Sequence, residues 1–284
     1  MNIRKVGVVG CGQMGSGITP VCAQSGYETI VSELNDDLLK KGLAVITSRL
    51  ARDVEKGRLA EPDRAAILAR IHGTIRVEDF AGCDLIVEAA TEDTDLKKQI
   101  FADLDRICPA DTVLATNTSA LSIMDIASAT KRADKVLGLH FMNPAHVMKL
   151  VEVVRTIATS QETLEIGISF SESLGKTPVV APDTPGFLLN RMLTPFLLNA
   201  IRTLEVGVAT KEDIDTAVQL GTNLPMGPLA LIDFIGLDTI YAGAVAVYEE
   251  SKNPQFAPPV LLGKMVKAGW WGRKTGKGFY EYNK

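Results

Sequence analysis

The short apolar, β-branched run Arg4-Lys5-Val6-Gly7-Val8-Val9 passes without a gap into Gly10-Cys11-Gly12-Gln13-Met14-Gly15. No other stretch limits the possible folds as much, because GxGxxG between a buried strand and a helix is the first turn of a βαβ dinucleotide unit. Residues 16–25 are small or apolar with helical spacing, and Gly26 stands where a helix commonly ends. Gly10 permits the tight bend, Gly12 leaves room for a pyrophosphate, and Gly15 lets helix and strand pack closely. The turn residues Gln13 and Met14 bring the start of the helix, with its N–H groups and positive dipole end, toward the phosphates. A second strand, residues 28–32, leads to Glu33, eighteen residues after Gly15, where a carboxylate can accept hydrogen bonds from an adenosine ribose diol. The same carboxylate would repel a 2′-phosphate, and Leu34-Asn35-Asp36 offers no arginine to receive one, so NAD is expected rather than NADP. FAD shares the fingerprint, and a glycine turn beside a surface glutamate is the plain alternative.

With 284 residues, 46% hydrophobic and 23% charged, the chain can bury a large core as one large or two modest domains. A net charge of -4 carries no basic excess for nucleic acid, and no apolar run approaches the roughly 20 residues of a membrane span. Because the N-terminus enters the first strand within a few residues, no signal or transit peptide is expected and the cytoplasm is the default location. The four cysteines, at positions 11, 22, 83 and 108, form no CxxC pair and have no neighbouring histidine. Neither a metal site nor a disulfide framework is expected, and a redox role for Cys11 is the minor alternative to a small buried residue.

After Glu33 a charged stretch, residues 36–70, replaces the usual short crossover. Pro62 divides it, with Gly57 just before, which predicts a helical hairpin projecting from the sheet. Arg49, Arg52 and Lys56 fall on one face at i, i+3 and i+7. On spacing alone the better reading is a solvated face paired with Asp53 and Glu55. Strands are then expected at 73–75, 84–89, 112–115 and 135–139, with a charged helix at 94–108 and another helix before the last strand. The alternation describes an α/β fold, a doubly wound Rossmann-type parallel sheet whose ligands lie at the carboxyl ends of the strands. Glu92, Ser119 and His140 fall on that edge. From Asp183 the strand signal disappears. Thr184-Pro185 reads as N-cap and first residue of a long helix kinked at Pro195, and further helices are expected at 210–221, 228–248 and 257–268. The expected plan is a dinucleotide-binding domain, residues 1–183, and an all-α domain, residues 184–284, apolar enough to bury a face against a second copy and form a homodimer.

The chain has three histidines. His72 lies in a polar turn and His146 in a loop, whereas His140 stands at a strand end beside the expected nicotinamide. Twelve residues on, Glu152 is enclosed by Leu150-Val151 and Val153-Val154. A carboxylate among such neighbours needs a cationic or donor partner, and a His-Glu pair would orient the imidazole and raise its basicity. The alternative is a strand residue on a solvent face.

The turn at Gly10 to Gly15 is one of several motifs that occur in order along the chain. The others are Asn117-Thr118-Ser119, His140-Phe141-Met142-Asn143-Pro144, Glu152, Asp183-Thr184-Pro185-Gly186-Phe187-Leu188-Leu189-Asn190-Arg191, Pro225-Met226-Gly227-Pro228 and Gly276-Lys277-Gly278-Phe279-Tyr280. Together they resemble the 3-hydroxyacyl-CoA dehydrogenase family, in particular its single-function bacterial members acting on 3-hydroxybutyryl-CoA. The resemblance spans the whole chain. It implies NAD-dependent interconversion of short-chain 3-hydroxyacyl-CoA and 3-oxoacyl-CoA, in fatty acid or butanoate metabolism. It implies that His140 is the general base for the 3-hydroxyl, that Glu152 orients it, and that Ser119 and Asn190 hydrogen-bond the hydroxyl or ketone oxygen. Glu92, Lys97, Ser119 and Asn143 match positions that contact the cofactor. In the family the hairpin helps hold CoA, which makes Arg49, Arg52 and Lys56 candidates for that role as well as for a solvated face. Glu33 stands where many relatives have Asp, which shifts the geometry of the diol contact. With Asn190 on the helical domain, the resemblance also implies closure about a hinge near residues 182–186. The rivals are a dehydrogenase of a free β-hydroxy acid, which would generally use Lys in place of the His-Glu pair, and a dinucleotide-binding protein without turnover.

Overall fold

The computed structural model describes residues 3–282, and the chain divides into two compact units, Met1–Thr184 and Pro185–Lys284. The first contains β1 (Lys5–Val9), α1 (Gly15–Gln24), β2 (Glu28–Ser32), α2 (Asp36–Glu55), α3 (Glu61–Ala69), β3 (Ile71–Thr74), β4 (Leu85–Glu88) and α4 (Thr94–Ile107). It continues with β5 (Val113–Thr116), α5 (Ile123–Ala127), β6 (Val136–Phe141), β7 (Leu150–Arg155), α6 (Gln161–Ser173) and β8 (Thr177–Pro182). All eight strands form one sheet in the order β3-β2-β1-β4-β5-β6-β7-β8. The first six are parallel and doubly wound, with the strand order reversing between β1 and β4, the point at whose carboxyl edge sheets of this kind bind ligands.

These strands read as near-continuous apolar runs because helices cover both faces. Val6, Val8, Leu85, Val87, Val113 and Ala115 have no exposed surface. The helices begin where a short polar side chain can accept from an otherwise unpaired N–H. Asn35 accepts from Leu38 N at the start of α2, Asp93 from Leu96 N at α4 and Ser160 from Thr163 N at α6.

The sheet is not parallel throughout. β7 runs antiparallel to β6 and β8 runs parallel to β7, and neither β8 nor α6 is among the elements expected from the sequence. Pro178 and Pro182 weaken the strand signal of β8, yet a strand at the sheet edge tolerates them. The strand expected at 73–75 begins two residues earlier and ends one earlier, at Ile71–Thr74. β6 runs on to Phe141, so His140 sits within the strand rather than after its end.

The second unit contains α7 (Leu189–Glu205), α8 (Lys211–Thr222), α9 (Pro228–Ile235), α10 (Leu237–Ser251) and α11 (Val260–Lys267). Its core is built on Leu197, Leu198, Ile201, Leu229, Ile232 and Leu262. The N-cap expected at Thr184 and the helix start at Pro185 do not form. Gly186 (φ 79°) and Phe187 (φ 48°) take left-handed backbone, which no right-handed helical turn accommodates. Asp183 is engaged elsewhere, accepting from Ile123 N at 3.1 Å and Met124 N at 2.7 Å at the start of α5. The single helix expected over 228–248 is two, bent by 95° at Gly236 (φ 112°). Pro195 lies inside α7. No single helix among the described residues is long and apolar enough to cross a membrane.

Candidate active site

The glycine turn is shaped by close approach. Gly10 (φ 94°) holds a backbone conformation that side chains rarely adopt, and a Cβ there would stand 2.9 Å from Ala89 O. A Cβ on Gly15 would stand 1.7 Å from Gly10 O, closer than any real contact, so the helix can follow the strand this tightly only from a glycine. Around Gly12 no protein atom lies within 4 Å of that position, which leaves open space over the start of α1. Glu33, at the end of β2, braces the same turn. Its Oε1 accepts from Cys11 N at 2.8 Å and its Oε2 from Leu34 N at 3.1 Å. Glu33 is thereby tied to the turn that Gly10, Gly12, Gln13, Met14 and Gly15 form.

Along the carboxyl edge, β4 and β5 place a buried ionic cluster. Glu88 has no exposed surface, and Lys97, from α4, is 1% exposed. Lys97 Nζ donates to Glu88 Oε1 at 2.7 Å, while Glu88 also accepts from Ala90 N and Thr116 Oγ1, each at 2.7 Å. Complete pairing is what makes such burial tolerable, because an uncompensated buried charge costs several kcal/mol. Lys97 lies 3.7 Å from Glu92 as well. Glu92 in turn accepts from Thr118 Oγ1 at 2.8 Å, Ser119 N at 2.8 Å and Ser119 Oγ at 3.2 Å. Lys97, Glu92 and Ser119 are thus brought together, with Lys97 committed to protein partners. Glu88 is not among the residues expected at the site, although a carboxylate between Leu85-Ile86-Val87 and Ala89-Ala90 carries the same signal as Glu152.

One strand further, the antiparallel register sets His140 directly opposite Glu152. His140 Nδ1 lies 2.6 Å from Glu152 Oε2, with both residues buried. An ionised carboxylate can only accept, so Nδ1 carries the proton and Nε2 is the basic nitrogen of the neutral ring. Asn117 Oδ1 accepts from Phe141 N at 2.9 Å and ties the loop after β5 to the strand that carries His140. Asn143 follows that strand, exposed and joined to Pro144 by a cis peptide bond. Asn190 lies in the first turn of α7, in the second unit. His72 is exposed beside Glu28 on the far edge of the sheet.

Arg52 and Lys56 are exposed, as a solvated face requires, but among the described residues they form no ion pair with Asp53 or Glu55. Arg49 is half-buried and its Nη1 donates to Ser16 O at 3.0 Å, which fastens α2 to the first turn of α1. Asp53 stands 3.9 Å from Arg58. A cavity of about 550 Å³ opens here, lined by Arg49, Arg52, Lys56, Arg58, Asp53 and His146 among others. Among the described residues no three His, Cys, Asp or Glu side chains gather as they would around a metal ion.

The family model described as "3-hydroxyacyl-CoA dehydrogenase, NAD binding domain" matches residues 5–184, and that described as "3-hydroxyacyl-CoA dehydrogenase, C-terminal domain" matches residues 186–282. A 3-hydroxybutyryl-CoA dehydrogenase of Clostridioides difficile is 45% identical over 280 residues, 99% of this chain and 100% of its own. One of Mycobacterium tuberculosis is 46% identical over 282 residues, 99% of each chain. The crystal structure of an (S)-3-hydroxybutyryl-CoA dehydrogenase from Ralstonia eutropha superposes with a TM-score of 0.96 at 43% identity over 100% of both chains. Both halves of the chain match this family, over residues 5–184 and 186–282, and the chain belongs to the 3-hydroxyacyl-CoA dehydrogenase family.

Proposed function

We propose that the chain interconverts 3-hydroxyacyl-CoA and 3-oxoacyl-CoA thioesters, short ones such as 3-hydroxybutyryl-CoA and acetoacetyl-CoA, with NAD as hydride carrier. The buried His140–Glu152 pair, at the carboxyl edge of a sheet whose first turn fits a dinucleotide, carries this reading. The fit rests on the space over Gly12, on the start of α1 beside it, and on Glu33 at the end of β2. The Glu33 carboxylate takes the ribose diol and repels a 2′-phosphate, which favours NAD over NADP.

When bound, NAD supplies the hydride acceptor for oxidation and, reduced, the donor for reduction. The chain's own residues handle the proton. In oxidation His140 Nε2 accepts the proton of the 3-hydroxyl as the C3 carbonyl forms, and in reduction the imidazolium returns it to that oxygen. Glu152 holds the ring in the tautomer with Nδ1–H and stabilises the positive charge it acquires. Ser119, oriented by Glu92, donates to the same oxygen, and the family resemblance gives Asn190 a hydrogen bond there. Asn143, Glu92 and Ser119 contact the cofactor, whereas Lys97 serves it by fixing Glu88 and Glu92. The hairpin takes the CoA phosphates through Arg52 and Lys56, with Arg49 bracing the hairpin against α1. Replacing His140 by Gln should lower kcat by roughly 10²- to 10⁴-fold with little change in NADH affinity. Near-normal turnover would remove His140 from the mechanism.

The same reading makes the protein a cytoplasmic homodimer joined through its helical unit. Met192 and Phe196, one turn apart on α7, and Leu220, Phe234 and Val260 leave large apolar surfaces exposed. Light scattering of the native protein should give twice the chain mass, and a single chain mass would exclude the dimer.

A further inference from the structure

The cavity beside the hairpin has a wall that the assignment of CoA to Arg52 and Lys56 does not use. Arg49, Arg52 and Asp53 come from α2 and Lys56 and Arg58 from the turn after it, but His146 enters from the loop between β6 and β7. The charges do not cancel. Asp53 is the only carboxylate among the residues lining the cavity, and it faces Arg58 at 3.9 Å, while Arg49 is bound to Ser16 O. A cationic surplus beside open space attracts a phosphate group.

His146 is held on a braced turn. Lys176 Nζ, from the segment leading into β8, donates to Ala145 O at 2.6 Å and Met148 O at 2.9 Å, on either side of the histidine. Val147 N and Met148 N both donate to Pro144 O at 3.0 Å, and Ala145 is buried in the core of the first unit. The ring itself is exposed. A side chain presented to a cationic cavity from such an anchored turn can donate to a ligand without first ordering its own loop.

We propose that His146 is a specificity-determining residue for the phosphate-bearing end of the CoA thioester, donating a hydrogen bond to a phosphate group held by Arg52, Lys56 and Arg58. This rests on the assignment of the hairpin to CoA given above. The charged groups acting on the imidazole are Arg49 and Asp53 from α2 and Lys176 from the strand side. Desolvation first, then Arg49, lowers its pKa below the ordinary 6.5, with Asp53 opposing and Lys176 adding to the effect. A hydrogen bond from the ring to the phosphate is worth about 3- to 10-fold in affinity.

The test compares acetoacetyl-CoA with acetoacetylpantetheine, which lacks the adenosine and all the phosphates of CoA, in the wild type, H146A and the double variant R52A/K56A. The ratio of kcat/KM for the CoA ester to that for the pantetheine ester should fall about 3- to 10-fold in H146A, through KM, and further in the double variant. If the ratio falls in R52A/K56A and holds in H146A, the role of His146 is overturned and the hairpin assignment stands. If it holds in both, the hairpin assignment fails and takes this proposal with it. An H146A variant that impairs both substrates equally also overturns the proposal, because the ring then only shapes its loop.

Discussion

Glu88 and Glu152 are two carboxylates without exposed surface, each set in a valine- and leucine-rich strand, and their partners separate their tasks. Glu88 meets an ammonium, a backbone N–H and a hydroxyl, which is the pattern of a group that holds structure together. Glu152 meets an imidazole that can gain and lose a proton, which is the pattern of a group that supports chemistry. Replacing Lys97 by Met leaves the buried Glu88 without its ammonium partner and should destabilise the first unit by about 3–5 kcal/mol. The double variant with Glu88→Gln should lose clearly less than the sum of the two single changes, because no charge is then left buried. Urea denaturation of the three variants measures this, and strictly additive losses would contradict the coupling. Glu152 was legible in the sequence because four apolar neighbours enclose it, and Glu88 offered the same signal. Their partners were less legible. Lys97 reaches Glu88 from a helix nine residues on, and the pairing of His140 with Glu152 depends on an antiparallel register that the intervening loop does not reveal.

Among the elements, the strand–turn–helix at the N-terminus was read almost to the residue, since the glycines encode contacts within the turn itself. Its glycines should nevertheless respond differently to substitution. Gly12→Ala meets no protein atom and should leave stability within about 0.5 kcal/mol while weakening NADH binding. Gly15→Ala drives a Cβ into the Gly10 carbonyl and should cost stability and cofactor binding together. Thermal melting alongside a cofactor titration separates the two, and equal loss of stability in both variants would contradict the geometry. The misread elements share a cause. The start of α7 is displaced by left-handed backbone at Phe187, a residue type that gives no such signal, and Gly236 breaks a run whose apolar periodicity continues across it. The edge strand β8 is disguised by its prolines.

Across the whole molecule, stability should carry an alkaline limb. Burial raises the thiols of Cys22 and Cys83 to about 12, and those of Cys11 and Cys108 to about 11, from an ordinary 9.0. Between those values the unfolded chain has released protons that the folded chain retains, so this contribution is full below pH 9 and is lost as pH rises through 11 to 12. Lys176, shifted downward by burial, opposes the four thiols as a single group. The urea midpoint should therefore fall between about pH 8 and about pH 10.5, and a flat profile would contradict the burial of these thiols. The central claim concerns chemistry rather than stability: a His-Glu pair beside an NAD turn that acts on a CoA thioester. Its most direct test follows the near-ultraviolet absorbance of the reduced nicotinamide after the purified protein is mixed with acetoacetyl-CoA and either NADH or NADPH, with free acetoacetate as the control. Absorbance should fall rapidly with acetoacetyl-CoA and NADH, and little with NADPH or with the free acid. Loss with free acetoacetate as fast as with the thioester, or no loss with any pair, would contradict it.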